Sequence, residues 1–165
     1  MIVVIMGVSG CGKTTVGQLY AQSHGWKFLD ADDYHSPQNI AKMREGVPLQ
    51  DEDRWPWLDR LNALLKEVSS GNKSCVLACS ALKQRYRDRI ARDLPGLRWV
   101  YLKGSFHLIE ARLKARKGHY MKAGLLESQF AALEEPGNAI TLDIAPSPAE
   151  LVERLGAALR EVNSP

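Results

Sequence analysis

A glycine-rich segment near the start of the chain has the residue types and spacing of a phosphate-binding loop. It runs Gly7-Val8-Ser9-Gly10-Cys11-Gly12-Lys13-Thr14 and fits the pattern G-x-x-x-x-G-K-[ST] at every fixed position. Glycines let the backbone curl so that successive N–H groups point at phosphate oxygens, and a helix that begins near Lys13 adds the positive end of its dipole. We expect Lys13 to neutralise the β- and γ-phosphates and the Thr14 hydroxyl to bind Mg²⁺. The segment therefore predicts a site for a nucleoside triphosphate; the alternative is a glycine-rich turn with no chemical role.

Acidic side chains follow the second strand-like run of the sequence. The segment reads Asp30-Ala31-Asp32-Asp33-Tyr34-His35. A kinase of small molecules needs a carboxylate near the γ-phosphate to orient or deprotonate the attacking hydroxyl, and often a second one to hold Mg²⁺ through water. If extended geometry continues this far, Asp30 and Asp32 face the same side and Asp33 faces away. A helix N-cap with spare surface charge is the alternative, and His35 either binds substrate hydroxyls or caps the next segment.

Two further segments carry cations that suit a carboxylate or phosphate ligand. Arg54 lies in a loop rich in acids, just before Pro56, at which we expect a helix to begin with Asp53 as a candidate N-cap. Its planar guanidinium can bind an anion through two parallel hydrogen bonds. Lys83 follows Ser80 after the third strand-like run. The alternatives are a surface ion pair for Arg54, and a Ser80 helix cap beside a solvated Lys83.

A basic stretch ends one predicted helix and runs into a glycine turn at Gly118. Arg112 and Arg116 are four residues apart and share a helix face. In a lid that excludes water, such arginines stabilise charge on a transferred phosphoryl group. A solvated basic helix end, favoured by the helix dipole, is the alternative. The four cations are Arg112, Lys114, Arg116 and Lys117.

The elements that must position these side chains alternate between strand-like apolar runs and helical patterns. This alternation predicts an α/β fold with a parallel sheet, in which ligands bind at the carboxyl ends of the strands. The helix after the phosphate loop is expected to bury Val16, Leu19 and Tyr20. The strand-like runs span residues 2–6, 27–29, 75–79, 99–102 and 139–142. The expected helices span residues 13–24, 37–45, 56–69, 83–93, 106–116, 125–133 and 148–162.

Nucleotide selection is indicated by the turn at residues 143–148, which follows the fifth strand-like run. We expect the backbone of this turn to contact the edge of an adenine base. The Asn-Lys-x-Asp signature of guanine selection is absent from the sequence. Asp93-Leu94-Pro95-Gly96 fits D-x-x-G, but it falls between a helix and a strand, so we interpret it as a turn and disfavour a GTPase.

Length and charge exclude several classes of protein. The 165 residues, of which 45% are hydrophobic, suit a single domain. The net charge of +3, from 22 Lys and Arg against 19 Asp and Glu, is too mild for nucleic acid as the main partner. The N-terminal apolar run of residues 2–6 is too short for a signal peptide or a membrane span. The odd count of three cysteines favours a reducing, cytoplasmic compartment over a disulfide framework. Cys75 and Cys79 lie in a strand-like run with no flanking His, which favours core thiols over a metal site.

These motifs, in this order, resemble those of the gluconokinases, small P-loop kinases related to the shikimate kinases and nucleoside monophosphate kinases. The similarity runs nearly end to end, and its most specific blocks are Cys79-Ser80-Ala81-Leu82-Lys83 and Arg116-Lys117-Gly118-His119. The resemblance implies a three-layer P-loop NTPase fold with a five-stranded parallel sheet and a mobile lid at about residues 105–135. It also implies phosphorylation of D-gluconate at its 6-hydroxyl by ATP with Mg²⁺, in a cytoplasmic homodimer. Shikimate or nucleoside monophosphate kinases, a non-catalytic nucleotide-binding module and a nucleic-acid-end kinase are the alternatives.

On this hypothesis the candidate residues take specific roles. Lys13 and Arg116 neutralise charge on the transferred phosphoryl group, and Asp32 orients the substrate hydroxyl and accepts its proton. Thr14 binds Mg²⁺ directly, and Asp30 helps to hold it through water. Arg54 and Lys83 are the candidates for the gluconate carboxylate, Asp32 and His35 for its hydroxyls, and Arg112 for stacking on adenine. The expected nucleotide-binding residues are Gly7, Ser9, Gly10, Cys11, Gly12, Lys13, Thr14, Thr15 and Arg112.

Overall fold

A five-stranded sheet, parallel at every pairing, forms the centre of the molecule. The computed structural model describes residues 1–116 and 124–162. The strands lie in the order β2-β3-β1-β4-β5, so β1, which leads into the phosphate loop, occupies the middle of the sheet. The predicted α/β class with five parallel strands is confirmed. The strands are β1 Ile2–Met6, β2 Lys27–Asp30, β3 Cys75–Ala78, β4 Leu97–Lys103 and β5 Ile140–Asp143.

Helices cover both faces of the sheet and make a three-layer structure. Ile2, Val4 and Met6 of β1 face one apolar cluster, while Val3 and Ile5 face the other. The first cluster includes side chains of α3 and α4, and the second those of α1 and α7. This period of two, buried on both faces, is typical of a parallel sheet between helices. The helices are α1 Lys13–His24, α2 Pro37–Arg44, α3 Asp51–Ser70, α4 Gln84–Ala91, α5 Phe106–Ala115, α6 Leu125–Ala132 and α7 Pro148–Val162, with a short 3₁₀ helix at Ala31–Tyr34.

Helix α3 begins five residues earlier than the sequence predicts. Its first residue is Asp51, so Pro56 lies inside the helix, and Gln50 rather than Asp53 is the N-cap. The Gln50 side chain accepts from the backbone of Asp53, and the Asp53 carboxylate accepts from the Gln50 N–H at 2.9 Å. This capping box and the acidic residues of the first turn stabilise the helix start. The prediction that this helix begins at Pro56 is therefore wrong.

Helix α1 has the predicted bounds, and it buries Val16 and Tyr20 as predicted. Leu19 is 41% exposed, so the expectation that it is buried is wrong. The helix also turns Gly17 and Ala21 inward. A side chain at Gly17 would meet Phe28 of β2, with a Cβ 2.7 Å from Cε2 of that ring, so the absence of a side chain sets how closely α1 approaches the sheet.

The three cysteines are buried and free. Burial raises the pKa of the Cys75 thiol to about 11 and that of Cys79 to about 12, which keeps both protonated at neutral pH. They are core thiols, as predicted. Across residues 1–116 and 124–162, none of the helices combines the length and the apolar character needed to cross a membrane.

Candidate active site

The phosphate loop connects β1 to α1 and needs glycine where its backbone is left-handed or crowded. Gly7 has a φ of +145°, and a Cβ there would lie 2.7 Å from Cys11 Sγ and 2.9 Å from the Leu102 carbonyl oxygen. Gly10 has a φ of +82°, and its Cβ would lie 2.7 Å from Cγ of Leu113 on α5. Any other residue type would clash at both places. The loop is therefore held between β4 and α5 in a fixed shape.

The start of α1 is open to an anion. Gly12 precedes the helix with a φ of +100°, and among the described residues no side chain caps this first turn. Lys13 Nζ donates to the carbonyl oxygens of Gly7 at 3.0 Å and Val8 at 3.1 Å, so the ammonium group lies over the loop. Arg116, far away in sequence, faces the same pocket. The residues that line this pocket are Gly10, Gly12, Lys13, Thr14, Thr15 and Arg116.

A hydroxyl and a carboxylate meet beside the loop. Thr14 Oγ1 donates to Asp30 Oδ2 at 3.3 Å, and Asp30 Oδ1 accepts from the backbone N–H of Asp32 at 3.0 Å. The strand ends at Asp30 and the 3₁₀ helix follows, so the strand-like arrangement considered for Asp30 and Asp32 does not continue. Oxygen donors of these two kinds are those that Mg²⁺ prefers, and the residues present therefore fit this ion.

Asp32 has an environment unlike that of Asp30. Its side chain reaches solvent, but the surrounding protein partly desolvates its carboxylate. This desolvation raises the pKa of Asp32, and the charges of Asp30 and Asp33 raise it further while Lys13 opposes them. A carboxylate with a raised pKa and a phosphate-binding lysine nearby is suited to accept a proton.

His35 is held in a fixed orientation behind these acids. Its ring is 7% exposed and stacks on Trp57 with the centroids 4.2 Å apart. Asn39 Nδ2 donates to the Asp53 carbonyl oxygen at 2.9 Å and lies 3.4 Å from His35 Nδ1. Burial, with the charge of Arg54, lowers the pKa of His35. The ring is thus neutral, and since Nδ1 accepts from the amide, Nε2 carries the proton.

The predicted cations Arg54 and Lys83 lie around Tyr86 and Asp51. Arg54 Nη1 donates to the Leu49 carbonyl oxygen at 2.6 Å, and its guanidinium carbon is 5.4 Å from the centre of the Tyr86 ring. The Tyr86 hydroxyl donates to Asp51 Oδ1 at 2.6 Å. This hydrogen bond lowers the pKa of Asp51, and the charge of Lys83 contributes to the same shift. The fold therefore brings Arg54, Lys83 and His35 to one region, together with two residues that the sequence did not assign to the site.

The side chains of Arg112 and Arg116 lie in different parts of the site. Helix α5 ends at Ala115, and Arg116 leaves it in an extended conformation that directs the side chain to the phosphate loop. Arg112 Nη2 donates to the Ile144 carbonyl oxygen at 2.6 Å, in the turn for which an adenine edge is expected. Their shared helix face does not place them together, because the helix ends between them.

Gln129 of α6 contacts the phosphate loop, and no role is predicted for it from the sequence. Its Oε1 accepts from the Ser9 backbone N–H at 2.6 Å, and its Nε2 donates to Ser9 Oγ at 2.9 Å. The contact joins positions 120 residues apart. The basic block that includes Lys117, Gly118 and His119 lies outside the described residues.

Comparison with known proteins identifies the class. Residues 9–154 match the family model for shikimate kinase. This match, together with the phosphate loop and the parallel sheet, places the chain among the P-loop kinases of small molecules.

More similar relatives narrow the class to one family. The chain is 48% identical to the thermoresistant gluconokinase of Escherichia coli K12, over 82% of this chain and 78% of that protein. It is 47% identical to the probable gluconokinase of Mus musculus, over 96% of this chain and 97% of the other. A solved gluconokinase from Sinorhizobium meliloti 1021 superposes with a TM-score of 0.81 at 39% identity and covers 98% of this chain and 97% of its own. The chain belongs to the gluconokinase family.

Proposed function

We propose that this protein transfers the γ-phosphoryl group of ATP to the 6-hydroxyl of D-gluconate, releasing 6-phospho-D-gluconate and ADP. The observation that carries the proposal is a complete phosphate loop, with Arg116 facing its pocket, in a chain of the gluconokinase family. The product would enter the breakdown of sugar acids.

The nucleotide phosphates would lie over the first turn of α1. Loop amides would bind the phosphate oxygens, and Lys13 would exchange its bonds to the Gly7 and Val8 carbonyls for bonds to the more strongly accepting phosphates. Arg116 would approach the transferred group from the other side of the pocket. Because phosphoryl transfer has a loose transition state, neutralising this charge supplies most of the acceleration.

Thr14 and Asp30 are the residues we propose for Mg²⁺, with Asp30 acting through water. When bound, the ion neutralises charge on the β- and γ-phosphates. Within the part of the chain that the structure describes, no group of three or more His, Cys, Asp or Glu residues could hold a metal ion. The remaining ligands would be water and phosphate oxygens, which is how Mg²⁺ is usually bound in kinases.

Asp32 would orient the 6-hydroxyl of gluconate and accept its proton as the oxygen attacks. The raised pKa of this carboxyl makes it a better base than an ordinary aspartate. Its backbone N–H is held by Asp30, which ties the base to the proposed Mg²⁺ site.

The other end of gluconate carries a carboxylate, for which we propose Arg54 and Lys83. Arg54 uses Nη1 on the Leu49 carbonyl oxygen, which fixes the guanidinium and leaves its other face for an anion. The neutral His35 would donate from Nε2 to a substrate hydroxyl, since its Nδ1 already accepts from Asn39. Arg112 would stack on adenine beside the turn after β5.

We further propose that residues 1–165 form one kinase domain, with a lid at about residues 105–135, and that it works as a cytoplasmic homodimer. The family resemblance supports the lid and the dimer. The three buried thiols suit a reducing compartment. The nearly balanced charge argues against nucleic acid as a partner.

A coupled assay of ADP release with Mg·ATP tests the activity. We expect turnover that depends on D-gluconate and exceeds, by at least a hundredfold, that with shikimate, a nucleoside monophosphate or no acceptor. Faster turnover with shikimate or with the nucleoside monophosphate would identify that compound, in place of gluconate, as the substrate. Equal background with every acceptor would favour a nucleotide-binding module without catalysis.

A further inference from the structure

A buried arginine that the proposed chemistry does not use lies next to the turn before α4. Arg87 is only 2% exposed. Burying a guanidinium is costly unless its N–H groups find acceptors. Its Nη1 donates to the carbonyl oxygens of Ala81 at 2.8 Å and Leu82 at 3.1 Å. Its Nη2 donates to the Glu134 carbonyl oxygen at 2.8 Å, so the guanidinium binds backbone from two segments.

The turn that Arg87 binds is held in a conformation that its own sequence disfavours. Ala81 has a φ of +44°, in the left-handed region that residues with a Cβ rarely adopt. Such a conformation persists only where surrounding contacts fix it. Arg87 fixes the Ala81 carbonyl, and the Gly7 N–H donates to the Ser80 carbonyl oxygen at 3.3 Å. The turn is thereby fixed beside the first residue of the phosphate loop.

Glu134, just beyond α6, closes the turn from its other side. Its N–H donates to the Leu82 carbonyl oxygen at 2.8 Å, and its carboxylate accepts from the Gln84 N–H at 2.8 Å. Its own carbonyl oxygen accepts from Arg87. Arg87 and Glu134 together therefore satisfy the backbone on both sides of Lys83.

We propose that Arg87 is a positioning residue for the phosphoryl acceptor. It holds the turn at residues 80–83 so that the Lys83 ammonium group faces the substrate carboxylate. A lysine at position 87 cannot replace it. Arg87 contacts the turn through Nη1 and the Glu134 carbonyl oxygen through Nη2, whereas a lysine has a single nitrogen for both places. This inference rests on the proposed function, in which Lys83 binds the gluconate carboxylate.

Steady-state kinetics of Arg87→Lys test the proposal. We expect the KM for gluconate to rise at least tenfold while the KM for ATP stays within twofold, since the phosphate loop keeps its own contacts. Arg89→Lys is the matched control, because Arg89 lies on the same helix and pairs with Asp59 at the surface. It should leave both constants within twofold. Equal rises in both KM values for Arg87→Lys, or no rise for gluconate, would overturn the proposal.

Glu134→Ala is a second variant at the same turn: it removes the carboxylate that accepts from the Gln84 N–H and leaves the backbone carbonyl that accepts from Arg87. We expect the gluconate KM to rise less than in Arg87→Lys, with the ATP KM unchanged; a rise as large as that of Arg87→Lys would contradict the proposal that Arg87 is the residue that positions the turn. Hydrogen exchange at residues 80–84 separates this inference from the proposed function. The amides there should exchange at least tenfold faster in Arg87→Lys than in the parent protein, whichever acceptor the enzyme uses, and unchanged exchange would contradict the role of the Arg87 contacts.

Discussion

Asp30 and Asp32, which are separated by one residue, have different surroundings although their side chains are the same. Asp30 accepts hydrogen bonds from the Thr14 hydroxyl and from the Asp32 N–H beside the phosphate loop. Asp32 is partly desolvated and feels the charge of Asp30, which raises its pKa. These different surroundings support the proposal that Asp30 faces Mg²⁺ and that Asp32 is the general base.

Replacing the proposed base should stop chemistry without weakening nucleotide binding. We expect Asp32→Asn to lower kcat by roughly 10²- to 10⁴-fold, the usual contribution of general base catalysis. The dissociation constant for ATP should change less than threefold, measured by titration in the absence of gluconate. Unchanged turnover would remove Asp32 from the mechanism.

The pH profile provides an independent check on Asp32. The base must be ionised, so kcat/KM should fall as the pH falls through its raised pKa, at a higher pH than for an ordinary aspartate. A raised pKa means that protonation favours the folded state, so this loss cannot come from unfolding through Asp32. Asp33→Asn is the matched control: it removes a charge that raises the pKa of Asp32, so the acid limb should move to lower pH. Movement to higher pH would contradict the assignment.

Single residues that line the pocket at the phosphate loop could be predicted from local patterns: the loop motif contains Lys13 and Thr14, and the basic stretch after β4 contains Arg116. Lys13, Thr14 and Arg116 line one pocket in the structure. Gln129 could not be assigned, because its contact with Ser9 spans 120 residues and no local pattern encodes it. The hydrogen bond from the Tyr86 hydroxyl to Asp51 could not be predicted from a local sequence pattern either.

At the scale of elements, α6 links regions that are distant in sequence. Its residue Gln129 binds Ser9 of the phosphate loop through two hydrogen bonds, and the segment after it binds the turn before α4. Strand β1 and helices α1 and α7 have the bounds that the sequence predicts, since glycine or proline marks the start of both helices. The start of α3 could not be predicted, because Pro56 imitates a helix start while the true cap is formed by Gln50.

Loosening α6 from the loop should weaken nucleotide binding selectively. Gln129→Ala removes two hydrogen bonds, each contributing about 1 kcal/mol, so we expect the KM for ATP to rise about tenfold or more. The KM for gluconate should stay within twofold. Ser128→Ala is the control, because the Ser128 hydroxyl donates within α6 to the Leu125 carbonyl oxygen. If Gln129→Ala binds ATP as well as the parent protein does, α6 has no part in shaping the loop.

At the scale of the whole molecule, the sheet order explains why the site forms where it does. β1 lies between β3 and β4, so the phosphate loop, the turn at residues 80–83 and the segment after β4 leave the same edge of the sheet. The acids after β2 join this edge beside β3. The alternation of strands and helices predicted the class of fold. The order of the strands depends on packing across the sheet, so it cannot be predicted from local periodicity.

On the proposed function, the γ-phosphoryl group of ATP ends on the 6-hydroxyl of gluconate. The most direct measurement is to run the reaction to completion with Mg·ATP and D-gluconate and to identify the product by ³¹P and ¹³C NMR. We predict one phosphomonoester on the primary carbon and one ADP for each gluconate consumed. ADP accompanied by free phosphate, or phosphate on another hydroxyl, would contradict the account.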